Sequence, residues 1–192
     1  MTTLACFLEE PSAREMLKGV LPRLFPVGVN FKYIVFDGKQ DLEKQLPAKL
    51  RNWQLPDSLF LVIRDQDSAD CKKVKEKLVD ICKCAGKPHA LVRIACHELE
   101  SFYLGDLAAV EKGLGLANIA RLQVKAKYRF PDKTANPCNE LEKLTNHTYQ
   151  NVMGSRKIAP FLALTDNKSH SFNKLVTGLQ SLINNRAIGG LE

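Results

Sequence analysis

Leu59-Phe60-Leu61-Val62-Ile63-Arg64-Asp65-Gln66-Asp67 decides how this chain folds. A short, wholly apolar run reads as a strand of a sheet covered on both faces, and this one stops on an Asp-x-Asp pair. Working outward, Leu4-Ala5-Cys6-Phe7-Leu8 stops on Glu9 and Glu10, and the run from Ala90 to Cys96 ends just before Glu98 and Glu100. In an open α/β sheet, functional groups gather in the crevice outside the carboxyl ends of the strands. Three acidic stops therefore point to one carboxylate pocket. Oxygen ligands of this kind suit magnesium, which prefers near-octahedral oxygen coordination.

Helix-like stretches separate the runs, giving the alternation of a parallel sheet with helical crossovers. Strands are expected at Leu4–Leu8, Phe31–Phe36, Leu59–Ile63 and Ala90–Ala95. Ser12, with Glu15 three residues on, reads as a capping box for a helix reaching Leu24, its last turn perturbed by Pro22. A second helix runs from Asp41 to about Trp53. A third is capped by Ser68 or Asp70 and ends near Gly86, a normal carboxyl-terminal stop. Glu98–Leu104 reads as helical, with Phe102-Tyr103-Leu104 packed under the acidic end. Beyond it the pattern changes. Leu107–Leu122, Asn139–Val152 and Ser171–Asn185 look helical, with a weak spot at Gly113 and Gly115, a loop from Tyr128 to Cys138, and a non-helical stretch from Gly154 to Ser169. The reading is an α/β core over residues 1–105, an open and mainly parallel sheet flanked by helices. A basic helical extension over residues 106–192 packs on it as part of the same unit.

The 192 residues carry a net charge of +7. Residues 1–105 hold 16 basic and 14 acidic side chains, whereas residues 106–192 hold 12 and 7. The excess is densest between Arg121 and Lys157, which suits either a polyanion such as nucleic acid or a solvated lysine-rich surface. The six cysteines (Cys6, Cys71, Cys82, Cys84, Cys96 and Cys138) form no paired framework. Most fall within expected strands or helices, where cysteine packs as a small apolar residue. No basic segment followed by an apolar stretch opens the chain, and no apolar run nears the roughly 20 residues that span a bilayer. A cytoplasmic protein with reduced thiols is the expectation.

Asp65 and Asp67 leave a strand end where the backbone turns, so both can reach one ion despite strict alternation within a strand. Glu9, from the neighbouring crossover unit, supplies another ligand or a base. Helix capping and turn formation are the competing roles for any one of these acids. The arrangement resembles the Toprim superfamily, shared by topoisomerases, primases and OLD-type nucleases. That family carries a Glu after its first strand, matched by Glu9 in CFLEEPSARE, and an Asp-x-Asp after its third, matched by Asp65 and Asp67 in LVIRDQDSADC. Glu98 and Glu100 in ACHELESFYLGD, with GSRKIAP and NKSHSF later on, are similar to segments of small bacterial Toprim-like proteins of a family of unknown function. The resemblance covers nearly the whole chain. One departure stands out: the Gly that commonly follows the first Glu is replaced by Glu10 and Pro11, so Glu10 competes with Glu9 as a ligand.

The resemblance implies phosphoryl chemistry dependent on Mg2+, with Mn2+ as a substitute. Glu9, Asp65, Asp67 and Glu100 would be the ligands, and Glu98 would join them as a catalytic candidate. A second ion held by Glu98 or Glu100 would favour hydrolysis of DNA or RNA. No tyrosine lies in a topoisomerase-like motif, and Gly38-Lys39 lacks the surroundings of a P-loop, so any ATPase must be a separate chain. The resemblance implies work beside such an ATPase in defence against phage, and leaves a homo-oligomer open. Arg64, Lys72, Arg156 and Lys157 are the expected contacts to nucleic acid, the last two beside a Gly154-Ser155 pair whose amides approach a phosphate. The other readings are a non-catalytic module that binds nucleic acid or an ATPase, and a receiver-like phosphoryl acceptor. Glu9 in place of an Asp after the first strand disfavours the last.

Overall fold

The computed structural model describes residues 1–189. Its centre is a four-stranded sheet, parallel throughout, in the order β2-β1-β3-β4. The strands are β1 (Thr2–Leu8), β2 (Val29–Val35), β3 (Ser58–Asp65) and β4 (Leu91–Ala95). Between them run α1 (Pro11–Leu24), α2 (Gly38–Arg51) and α3 (Cys71–Cys84). The two-residue alternation of a strand divides the apolar residues between two cores. Leu4, Cys6 and Leu8 join Leu61 and Ile63 on one face, while Ala5 and Phe7 join Phe60 and Val62 on the other. The second face is covered by Leu42, Leu46 and Leu50 of α2 with Val74, Leu78 and Cys82 of α3.

The first face needs more cover than α1 gives, and the rest of the chain supplies it. After β4 come α4 (Ser101–Leu104), α5 (Leu107–Leu114), α6 (Pro137–Leu144), α7 (Asn151–Ile158) and α8 (His170–Gly189). Leu107, Val110, Ile158, Leu162, Phe172, Leu175 and Leu179 from this half lie in one core with Leu4 and Ile63 of the sheet. The α/β fold with a helical carboxyl-terminal extension is therefore as the apolar pattern indicates. Among the described residues, no helix is long and apolar enough to cross a membrane.

Several local expectations are corrected. No capping box opens α1. Pro11 occupies the first turn and the Ser12 hydroxyl donates to the Glu10 carboxylate, while Glu15 is buried among cations. The cap of α3 is Asp70, whose carboxylate accepts the Lys72 and Lys73 N–H groups at 2.8 and 3.2 Å. The expected Leu107–Leu122 helix ends at Leu114, because Gly115 adopts a left-handed conformation (φ +66°) that closes it. The Asn139–Val152 helix is broken in two, since Asn146 and His147 take positive φ and turn the chain. Residues 151–158 are helical, so the stretch after Gly154 begins inside α7.

Candidate functional site

Going from β1 to β2 the chain steps to one side of β1, and going on to β3 it crosses to the other. Such a reversal opens a crevice at the carboxyl ends of the two central strands, where Glu9 and Asp65 sit. The Glu9 N–H continues the ladder to the Ile63 carbonyl at 3.3 Å, and its carboxylate Oε2 accepts the Asp65 N–H at 3.0 Å. Glu9 is thus fastened to the end of β3. Asp65 is the last residue of that strand, and its Oδ2 accepts the Leu99 N–H at 3.2 Å.

Two left-handed residues shape the rim. Asp67 (φ +55°) and His97 (φ +59°) adopt a conformation uncommon outside glycine. The Asp67 N–H donates to the His97 carbonyl at 2.8 Å, and His97 Nδ1 lies 3.2 Å from the Asp67 carbonyl. The turns after β3 and β4 are thereby pinned to each other. The Asp67 side chain leads outward to Lys39 Nζ at 2.9 Å, at the start of α2. Glu98 Oε2 accepts the Cys138 N–H at 2.7 Å in the first turn of α6, where a carboxylate complements the helix dipole. Glu100 is 3% exposed and its Oε1 accepts the Tyr149 hydroxyl at 2.6 Å.

Electrostatics link all six acids. Burial, followed by the charges of Glu10, Glu100 and Glu9, holds the Asp65 carboxyl well above its ordinary value, and the Leu99 amide offsets little of this. Burial also raises Glu9, with the Asp65 amide and Arg64 opposing and Asp67 and Glu10 adding to the rise. Glu100 is pushed up to about 7, again by burial first and then by Glu10 and Glu98, against the Tyr149 hydrogen bond. Like charges gathered in a half-buried crevice disfavour one another's ionised forms.

The structure therefore brings Glu9, Asp65 and Glu100 into one electrostatic group and adds Glu10, which the sequence marked only as a competitor. It turns Asp67 toward Lys39 and Glu98 toward a helix end. Among the described residues, no three His, Cys, Asp or Glu side chains are gathered to hold one metal ion. The donor chemistry nonetheless fits a hard cation: the group is all oxygen, and its crowded charges have one nearby guanidinium, Arg64 Nε at 3.9 Å from Glu9. Three buried hydroxyls, those of Ser101, Tyr103 and Ser155, also make no well-formed hydrogen bond, and Tyr103 lies within reach of the charges of Glu100, Glu10 and Asp65.

The expected phosphate contacts are sorted differently. Arg64 is 6% exposed and pairs with Glu43 at 2.6 Å, so it is a structural clamp between β3 and α2. Arg156 donates to the buried Glu15 at 2.8 Å. Lys72 and Lys157 are exposed and form no ion pair among the described residues. Gly154 and Ser155 are no flexible phosphate loop. They lie buried in α7, and a Cβ on Gly154 would come within 2.3 Å of the Tyr149 ring. Tyr149, Tyr103 and Ser155 are the residues that sequence reasoning missed as neighbours of the acids. Only the apolar spacing of Phe102-Tyr103-Leu104 hinted at one of them.

A parallel α/β sheet with acidic side chains gathered at its switch point defines the class of protein. The chain belongs to the family described as a domain of unknown function, DUF4276, whose model matches residues 8–180. No curated protein and no solved structure matches it.

Proposed function

We propose that the protein is a Toprim-like nuclease, dependent on Mg2+ with Mn2+ as a substitute, that hydrolyses phosphodiester bonds in nucleic acid beside a separate ATPase chain. The observation that carries this reading is the Asp65 carboxylate, set at the end of a central strand with Glu9, Glu10 and Glu100 raising its pKa. Acids so crowded are stabilised by a cation. Glu9 and Asp65 would hold it, with Glu10 or Glu100 completing the set. A bound divalent ion would neutralise phosphoryl oxygens and acidify a bound water. Where Glu10 completes the set, Glu100, pushed up to about 7 by burial and with Oε1 engaged by Tyr149, would be left to hold a proton at its other oxygen. The fully buried Tyr103 and Phe102 form an apolar floor that excludes water.

Purified protein with Mg2+ or Mn2+ should cleave at least one member of a panel of DNA and RNA. Asp65→Ala should lower that rate by more than about 100-fold, since loss of mere outer-shell partners of a metal ligand already costs about 10–100-fold. Cleavage unaffected by Asp65→Ala would end the proposal. A second reading, a non-catalytic module binding nucleic acid or an ATPase, is favoured by the Asp67–Lys39 pair and the Glu100–Tyr149 bond, which occupy two of the acids internally. It is supported if calorimetry detects no metal binding by a folded chain.

A further inference from the structure

A basic cleft of about 380 Å3 lies between α3 and α8, along the free side of the edge strand β4. Lys75 of α3, Arg93 of β4, and His170 and Lys174 of α8 line it, with Cys71 and Cys96 at its end nearest the acids. A second cleft of about 320 Å3 shares Arg93 and Lys174 and extends the path toward Leu91 at the start of β4. Among the described residues, no Asp or Glu lines either one. Among the described residues, none of Lys75, Arg93 and Lys174 forms an ion pair. Asp132, at the mouth, is engaged by the Ser169 hydroxyl and the Ser171 N–H.

Arg93 is built into this position. Its Nε donates to the Lys174 carbonyl at 2.9 Å and its Nη1 to the Val92 carbonyl at 3.0 Å, both neutral acceptors. The guanidinium lies where a Cβ on residue 178 would come within 2.2 Å of Nη2, and that residue is Gly178. A half-buried cation without a carboxylate is costly unless an anion completes it. The position of the cleft says where that anion leads. Cys96 follows Ala95, the register partner of Asp65 across β3 and β4, and three residues further on the Leu99 N–H donates to the Asp65 carboxylate at 3.2 Å.

We propose that this cleft is the track along which the phosphodiester backbone of a single nucleic-acid strand enters the carboxylate cluster. Its destination rests on the nuclease reading, whereas the binding itself does not. The five residues of β4 rise about 16 Å at roughly 3.3 Å each, a length that seats a few phosphates of one strand. Among the described residues no Phe, Tyr or Trp lines the cleft and His170 is its one aromatic ring, so base stacking, the usual sequence-tolerant anchor, is confined to one position and phosphate contacts carry the affinity. Such binding is independent of sequence and steeply salt-dependent.

The test uses the full chain without divalent cation and a fluorescein-labelled single-stranded oligonucleotide, read by anisotropy across a salt series. Lys75→Glu with Lys174→Glu alters two exposed side chains and should weaken binding by about 10-fold or more. The slope of log K against log salt should fall by about 1.4, at roughly 0.7 per lost phosphate contact on a single strand. Lys44→Glu with Arg51→Glu, exposed on α2, should leave both unchanged. Equal effects of the two double variants, or none from the first, overturn the track. A wild-type chain that ignores the oligonucleotide but binds polyglutamate through Lys75 and Lys174 overturns it in favour of an acidic protein partner. Lost binding in a protein whose wild type never cleaves leaves the track standing and removes the nuclease. Cleavage with unchanged binding does the reverse.

Discussion

Glu15 and Glu100 are the same residue type, both 3% exposed, and their carboxyls move in opposite directions. Burial raises both. Glu100 has a phenol and its own backbone amide to offset it but no cation, with Glu10 and Glu98 close by, and stays near 7. Around Glu15, hydrogen bonds from Arg156, Lys18 and Arg14 outweigh burial and bring the group to about 2. The Arg14 and Lys18 nitrogens stand 3.0 Å from its Oε1, and Arg156 Nε stands 2.8 Å from its Oε2. A folded-state pKa below the ordinary 4.5 contributes stability that is complete above the unfolded value and lost as pH falls through it toward the folded one. Glu15→Gln should therefore be clearly less stable than the wild type at pH 7. The gap should narrow as the buffer is acidified from about 4.5 toward 2, read as the difference in urea midpoint between the two proteins. A gap that holds constant to low pH would mean that packing, and not charge, is what Glu15 supplies. Arg156 thereby acquires a role that its neighbours Gly154 and Ser155 in the sequence did not suggest: it ties α7 to α1.

At the level of elements, legibility follows how locally each one is determined. The four strands and three crossover helices were readable to within a few residues, because short apolar runs and the residues that stop them are local signals. The acids of the site were readable for the same reason, as stops. Their partners were not. Tyr149 reaches Glu100 across 49 positions, and it does so from a turn whose left-handed Asn146 and His147 interrupt an otherwise helical pattern. Gly154 shows the same dependence on tertiary contact. By helix propensity, Gly154→Ala would gain up to about 1 kcal/mol. In the structure the new methyl would meet the Tyr149 ring at 2.3 Å. That ring cannot yield easily, because its hydroxyl is held by Glu100 at 2.6 Å and its face packs near Tyr103, centroids 6.0 Å apart. Overpacking of this kind costs about 1–3 kcal/mol, so steric conflict wins. Gly154→Ala should destabilise by up to about 2 kcal/mol net in urea denaturation, and a stabilised variant would show that α7 can shift away from Tyr149.

At the scale of the molecule, the division into a core of residues 1–105 and an extension of residues 106–192 is one of charge and pattern, not of folding. Leu4, Cys6, Leu8, Leu61 and Ile63 present one sheet face to a single core that includes Phe172, Leu175 and Leu179 of α8. The halves are also stitched by hydrogen bonds: the Asn167 side chain donates to the Phe102 carbonyl at 3.0 Å, and the Lys168 N–H to the Gly105 carbonyl at 2.9 Å. Helix α1 and the four-residue α4 would have to cover that face by themselves, and the apolar surface otherwise exposed would exceed what a soluble monomer tolerates. The fragment would also lose most of the net charge that opposes association, since residues 1–105 balance 16 basic against 14 acidic side chains. The full chain should unfold in one cooperative transition by circular dichroism. A chain cut after Gly105 should retain helical signal yet lack near-ultraviolet structure, bind anilinonaphthalene sulfonate and melt without a sharp midpoint. A cooperative transition in the fragment would instead establish that the sheet and α1 to α3 fold alone. The carboxylate cluster would not survive intact even then, because Tyr149 and the Cys138 amide, which hold Glu100 and Glu98 in place, come from the part removed.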